Sequence, residues 1–129
     1  MSGKPKAMYG MTVNLFVTRK ANGEALVVGG IGENDTRWVR ILSYRAAQIL
    51  RFQLARLLFP DQAEEMSAWT TTAPIRDASL PTVTSHATIE KMSNDTFELA
   101  GWSDRDIIWV AYLSQEEAQR FWSALDGAL

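Results

Sequence analysis

The chain contains no cysteine, which removes a disulfide scaffold, a thiolate metal site and a cysteine nucleophile in one step. That absence makes a reducing, cytoplasmic compartment the expected setting. There is one histidine, His86, on an alternating stretch that reads as a strand, and one histidine without cysteine does not make an ordinary zinc site. No apolar run approaches the ~20 residues needed to span a bilayer. Met1–Ala7 holds Lys4 and Lys6, but no apolar stretch of a secretory signal follows, so no membrane association is expected. Gly29-Gly30-Ile31-Gly32 lacks the Gly-Lys-Ser/Thr ending of a phosphate loop and leads into a strand. Asp104-Arg105-Asp106 reads as turn chemistry. The order of residues suggests no Ser–His–Asp grouping. The expectation is a protein with no catalytic residues, no metal and no cofactor.

What remains is the composition of a folded domain, with 47% hydrophobic and 22% charged residues in a chain of 129, the size of a single domain. The net charge of −2 conceals two opposed halves. Residues 1–59 carry nine Lys and Arg against three Asp and Glu, a balance of +6, and residues 60–129 carry four against twelve, a balance of −8. Such polarity suits either a polyanion-binding face or electrostatic docking of the halves, within or between chains.

The two halves are also copies. At an offset of 71, Trp38 falls on Trp109, Val39 on Val110, Leu42 on Leu113, Ser43 on Ser114, Ala47 on Ala118, Gln48 on Gln119 and Leu54 on Leu125. These are seven identities in 17 positions, where average composition gives roughly one. Gly30 and Asp35 fall on Gly101 and Asp106. Before the first hairpin the offset becomes 72, pairing Met11, Val13, Leu15 and Val17 with Val83, Ser85, Ala87 and Ile89. A side-chain period of two makes that slip meaningful, because an error of one residue turns the apolar face outward. Repeat 1 therefore carries one extra residue in its first hairpin.

Each copy reads as β-β-β-α. In repeat 1 (about 8–59), Met8–Arg19 alternates as a half-buried strand. Asn22-Gly23 marks a hairpin, Ala25–Gly30 is a strand, Gly30–Asp35 a turn, and Arg37–Leu42 a third strand. Ser43 caps a helix with the stripe Ile49, Leu50, Gln53, Leu54, Leu57 and Leu58, in which Gln53 is the polar exception; Pro60 ends it. In repeat 2 (about 82–129), Thr82–Glu90, Thr96–Ala100 and Asp106–Leu113 are strands, and Ser93-Asn94-Asp95 is a turn. Ser114-Gln115-Glu116-Glu117 has the form of a capping box, followed by the stripe Ala118, Phe121, Trp122 and Leu125. Residues 60–81 form a linker with a short acidic helix. A lone unit would expose one apolar sheet face, so the two are expected to bury those faces against each other and the helices around a pseudo-twofold axis, as one α+β domain over 1–129.

With Val39 and Val110 assigned to the core, strand alternation sends Trp38, Arg40 and Trp109 to the outer faces, and Thr12, Asn14 and Phe16 share the outer face of repeat 1. Exposed aromatics among cations suit single-stranded nucleic acid, whose bases stack on rings while Arg or Lys neutralises phosphate. The nominated contacts are Phe16, Arg19, Arg37, Trp38 and Arg40. The alternative is a protein-interaction or self-assembly module, a homodimer or higher oligomer, in which Trp38 or Trp109 anchors a subunit contact.

One stretch is more specific. Val17-Thr-Arg-Lys20-Ala-Asn22-Gly23, followed by Leu26, Gly30-Ile31-Gly32, Asn34, Arg37 and Leu42-Ser43, resembles a PUR repeat of the Pur-alpha family over about 40 residues. The resemblance implies two intertwined repeats of the Whirly-like class that binds single-stranded DNA and RNA, with contacts at Lys20 and Asn22 of the Lys-x-Asn hairpin. Repeat 2 offers Lys91-Met-Ser-Asn94, one residue longer between the two, and is more acidic than such repeats commonly are.

Overall fold

The computed structural model describes residues 7–19, 25–62, 83–103 and 105–129. It is mixed α+β, with two four-stranded sheets and two helices among the described residues. The strands are β1 Ala7–Met11, β2 Val13–Arg19, β3 Ala25–Ile31, β4 Arg37–Ser43, β5 Val83–Thr84, β6 His86–Lys91, β7 Phe97–Ser103 and β8 Asp106–Leu113. Helix α1 is Tyr44–Leu58 and helix α2 is Gln115–Ala128. Short 3-10 turns lie at Glu33–Asp35, Pro60–Gln62 and Ser93–Asp95.

Sheet 1 has the order β2-β3-β4-β5 and sheet 2 the order β1-β8-β7-β6. Each is a three-stranded antiparallel meander from one repeat, closed on its third strand by a parallel strand from the other end of the chain. The stretches Met8–Arg19 and Thr82–Glu90, expected as continuous strands, are therefore each two strands. The chain turns a corner at Thr12 and again at Ser85, so β1 runs on sheet 2 and β2 on sheet 1, while β5 runs on sheet 1 and β6 on sheet 2. Strands that switch sheets in this way form the corners of orthogonal packing. Both edges of each sheet thus continue into an edge of the other.

The duplication is visible in the ladders. Arg19 pairs with Leu26 across residues 20–25, and Lys91 pairs with Phe97 across residues 92–96, so the repeat 1 hairpin is longer by the one residue that the change of offset requires. Met11 opposite Tyr112 has its counterpart in Val83 opposite Ile41. The Asn22-Gly23 hairpin and most of the linker, including the expected acidic helix beyond Gln62, lie outside the described residues.

The core corrects the sequence reading at its centre. Trp38 is 4% exposed and Trp109 fully buried, while Val39 is 58% exposed. The inner face of β4 is the one bearing Trp38, Arg40 and Leu42, so Trp38 and Arg40 do not belong to the outer face. The reason lies opposite them. Trp38 pairs with Gly30 and Trp109 with Gly101, and a Cβ on Gly101 would strike the Trp109 indole, as one on Gly30 would meet Thr12 Cγ2 at 2.5 Å. The Trp109 indole fills the space that Gly101 leaves, and Thr12 at the corner and Leu15 of β2 fill the space that Gly30 leaves beside Trp38. The indoles pack on each other with centroids 5.6 Å apart, and Tyr9 stacks parallel on Trp38 at 4.6 Å. Each indole N–H crosses to a corner threonine: Trp38 Nε1 donates to Thr12 Oγ1 at 3.1 Å and Trp109 Nε1 to Thr84 Oγ1 at 3.1 Å. Thr12 and Thr84 are equivalent at the offset of 72, and both are buried. Arg40 is half-buried beside this cluster, donating through Nε to the Tyr9 hydroxyl at 2.8 Å.

The helices close the other end of the core, crosswise. Helix α1 of repeat 1 packs on β6 of repeat 2, α2 of repeat 2 packs on β2 of repeat 1, and the helices pack together, with Arg51 and Asp126 paired at 3.5 Å. Leu50, Leu54, Phe121 and Leu125 are fully buried, each contributing roughly 1.5–3 kcal/mol of apolar transfer. Both helices start on serine caps: Ser43 Oγ accepts from Ala46 N, and Ser114 Oγ accepts from Glu117 N. The Glu117 carboxylate accepts instead from Leu15 N of β2 at 3.3 Å, so it serves a sheet edge. Gln53, the polar exception in the α1 stripe, does the same for repeat 2, accepting from Ile89 N at 3.2 Å. Covering strand edges with helices protects unpaired backbone groups.

Replacing Thr12 by Val leaves the Trp38 N–H buried without an acceptor, at a cost of about 1–3 kcal/mol. Thr84→Val is expected to lower stability by the same amount in urea unfolding, because the two corners are equivalent. A large inequality between the two variants would contradict that equivalence.

Candidate functional site

With the inner faces shared between sheets and helices, the outer faces remain. On sheet 1 the alternation that sends Leu15, Gly30 and Trp38 inward sends Phe16, Ile31, Arg37 and Val39 outward. Phe16 is 42% exposed, Val39 58% and Val13 50%, an apolar concentration on one sheet face. Such patches mark interaction surfaces. Asn14, Phe16, Gly30, Ile31, Arg37, Trp38 and Val39 line a shallow open cleft of about 330 Å³ there.

Local backbone chemistry makes this cleft. Phe16 lies opposite Gly29, and Gly29 lies opposite Val39. A Cβ on Gly29 would meet the Phe16 ring at 2.8 Å, so the missing side chain lets the ring lie down on the sheet. Between Val13 and Phe16 the β2–β3 register slips, and Asn14 takes φ 54°. A bulge of this kind re-aims a side chain at a strand end, and asparagine tolerates the left-handed region better than most residues. Arg37 is exposed at the first position of β4, and among the described residues it has no ion-pair partner within 4.0 Å. The cleft therefore offers an aromatic face, an amide with both donor and acceptor, and a permanent cation.

Of the residues nominated from the sequence, the structure brings Phe16 and Arg37 together here. Arg19 is on the same strand but on the opposite side of it from Phe16. Its guanidinium lies 5.5 Å from the Tyr44 ring centroid and donates to the carbonyl of Leu129 at 3.4 Å, so it is tied to the helical side. Trp38 and Arg40 are interior, as described, and Trp38 bounds the cleft only from beneath. Lys20 and Asn22 lie outside the described residues. Asn14 and Val39 were not nominated as contacts. The available signal for Asn14 was its place two residues before Phe16 in a stretch of alternating pattern, with no counterpart amide in repeat 2.

The outer face of sheet 2 is different in kind. Trp102, half-buried, donates its indole N–H to Thr88 Oγ1 at 2.9 Å, with the His86 ring at 6.4 Å. The Tyr112 hydroxyl donates to Glu98 Oε2 at 3.1 Å. Met8 and Met11 are exposed beside them on β1. Burial, with the adjacent Glu98 carboxylate adding to it, raises the Tyr112 phenol above its ordinary 10.0. Among the described residues no helix is long and apolar enough to cross a membrane, and no group of three or more His, Asp or Glu is placed to hold a metal ion. No family model, curated protein or solved structure matches this chain.

The raised phenol has a consequence with a fixed sign. Since the folded state holds the Tyr112 proton more tightly than the unfolded chain, stability is unaffected by this group at neutral pH and falls as pH rises above about 10. Tyr112→Phe is expected to remove that part of the alkaline loss, along with one phenolate ionising above the ordinary 10.0 in the ultraviolet titration. An unchanged titration would contradict the assignment.

Proposed function

We propose that the protein is a non-enzymatic binding module for single-stranded DNA or RNA, PUR/Whirly-like in construction, and that the outer face of sheet 1 is its binding surface. The observation that carries this reading is the meeting of an exposed Phe16 with the cation of Arg37, which has no ion-pair partner among the described residues, and the amide of Asn14 in one open cleft. Stacking on an aromatic ring is tolerant of sequence, and a neighbouring guanidinium neutralises phosphate. The charge of +6 over residues 1–59 supports the reading, since a polyanion is drawn to the basic half. So does the resemblance of the first repeat to a PUR repeat, which would add Lys20 and Asn22, close behind Arg19 in the sequence, to the contacts. The absence of cysteine fits a reducing, cytoplasmic setting.

A second reading has its own observation. Val13 and Val39 on sheet 1 and Met8 and Met11 on β1 are exposed aliphatic residues, which suit a protein surface better than a base. On that reading the face is a contact between copies, a homodimer or higher oligomer, or a contact with another protein.

The two separate by titration of labelled single-stranded DNA and RNA oligonucleotides with fluorescence anisotropy, alongside sedimentation of the free protein. Nucleic-acid binding is expected to weaken with a linear dependence on log salt, and Arg37→Ala to reduce that slope by about one phosphate contact. Phe16→Ala is expected to lose about 1–3 kcal/mol of binding while leaving the fold intact. Lys20→Ala with Asn22→Ala is expected to weaken binding without unfolding the protein. Absence of binding at low salt, together with self-association that Val39→Lys abolishes, would establish the second reading in its place.

A further inference from the structure

The duplication gives the regularly paired positions on sheet 1 counterparts on sheet 2, so sheet 2 serves as an internal control for the cleft. At the offsets fixed by the ladders, Phe16 corresponds to Thr88, Ile31 to Trp102 and Val39 to Val110. Phe16 opposite Gly29 opposite Val39 is matched by Thr88 opposite Ala100 opposite Val110. The same ground on sheet 2 holds a ring of the protein's own. The Trp102 indole of β7 reaches Thr88 on the neighbouring β6 and is held there by the 2.9 Å hydrogen bond. Val110, the counterpart of the 58% exposed Val39, is 3% exposed.

Sheet 1 has given up that ring. Ile31 stands where Trp102 would be and does not span the face, and the hydroxyl that would receive an indole N–H is replaced by the Phe16 ring. The other replacements point one way. Asn14 falls in the β2 bulge, between Val13, which faces Ile31 as His86 faces Trp102, and Phe16, and Arg37 stands where β8 has Ile107 and Ile108 across its bulge. Where repeat 2 holds a hydrogen-bonded indole, repeat 1 presents an open face with a stacking partner, an amide and a cation. The open volume of about 330 Å³ is at the lower end of the range of small-ligand clefts.

Resting on the nucleic-acid reading above, we infer that the cleft is a single-nucleobase subsite: one flipped-out base of a single strand lies where repeat 2 keeps Trp102, stacked on Phe16, its edge on the Asn14 amide and its adjoining phosphate on Arg37. Repeat 2, with its ring supplied internally and its sheet face carrying Glu90 and Glu98, takes no base there. The domain therefore binds one strand asymmetrically, through repeat 1.

The test is to give repeat 1 the ring that repeat 2 has. The double variant Phe16→Thr/Ile31→Trp recreates the Thr–Trp pair on sheet 1 and closes the cleft from within. Binding of a short labelled oligothymidylate or oligouridylate is expected to weaken roughly tenfold or more, the loss of one stacked base, while the folded circular dichroism and the urea midpoint are kept or raised. The reciprocal variant Trp102→Ile is expected to leave affinity within about twofold, far below a stacking contribution. A folded double variant that binds like the parent would overturn the subsite while leaving the nucleic-acid function standing. Failure of the parent itself to bind any single strand would overturn the function and the subsite together. If the parent self-associates and the double variant is monomeric, the cleft takes a partner's side chain and the base assignment is wrong. Should the double variant not fold, Phe16→Trp decides the matter: stacking of a base is expected to quench the new indole saturably, and binding seen by anisotropy without that quenching would overturn the proposal.

Discussion

Two indole N–H groups, each donated to a threonine on the far side of a strand corner, set the geometry on which the rest of this molecule depends. A buried indole without an acceptor is costly, and in the interior the only economical acceptors are side chains brought in from elsewhere in the chain. Thr12 and Thr84 stand where the chain leaves one sheet for the other. The bonds therefore fix where the corners fall, and with them which half of each bent strand belongs to which sheet. Tyr9 stacks on one indole, the indoles pack on one another, Gly101 makes room for Trp109, and Gly30 makes room for the corner threonine Thr12. Helices α1 and α2 close the opposite end by packing on each other's repeats.

Closure follows from the same arrangement. A three-stranded meander leaves two edges, and each of these edges continues into the other sheet or lies under a helix. Gln53 and Glu117 show how carefully the remainder is managed, since both are polar groups on helices that would otherwise read as flaws in an apolar stripe or as capping residues. Each satisfies a backbone N–H of the opposite repeat. The interior is thereby common property, and neither repeat retains an inner face of its own.

What the two repeats do not share is their outer surface. Duplication constrains the interior, because both copies must supply matching halves of one core, and it leaves the outer faces free to diverge. On sheet 2 the difference is a face carrying Glu90 and Glu98, with the Trp102 indole held to Thr88. On sheet 1 it is Phe16, Asn14 and Arg37 around an opening. Two unlike outer faces on a duplicated frame follow, and the polarity of charge between the two halves of the sequence is a further difference between the copies.

The repeat, its offsets and the extra hairpin residue were legible in the sequence, because identical residues at a fixed spacing and the strand period of two are properties of the chain alone. The α+β class, the serine caps and the helical stripes were legible for the same reason: each rests on contacts within a few residues. The side of β4 that faces inward was not. Trp38, Arg40 and Leu42 alternate with Val39 and Ile41, both sets have apolar members, and alternation names two faces without saying which is buried. Gly30 opposite Trp38, repeated as Gly101 opposite Trp109, was the one available signal, and it gains meaning only when the strands are paired. The corners at Thr12 and Ser85 were equally silent, since a bent strand and a straight one have the same alternating pattern. The sequence by itself determined that two like units would form one core. Only the tertiary structure, through long-range packing of the rings and the hydrogen bonds that rings require, decided which face each strand would turn to it and hence which residues were left outside.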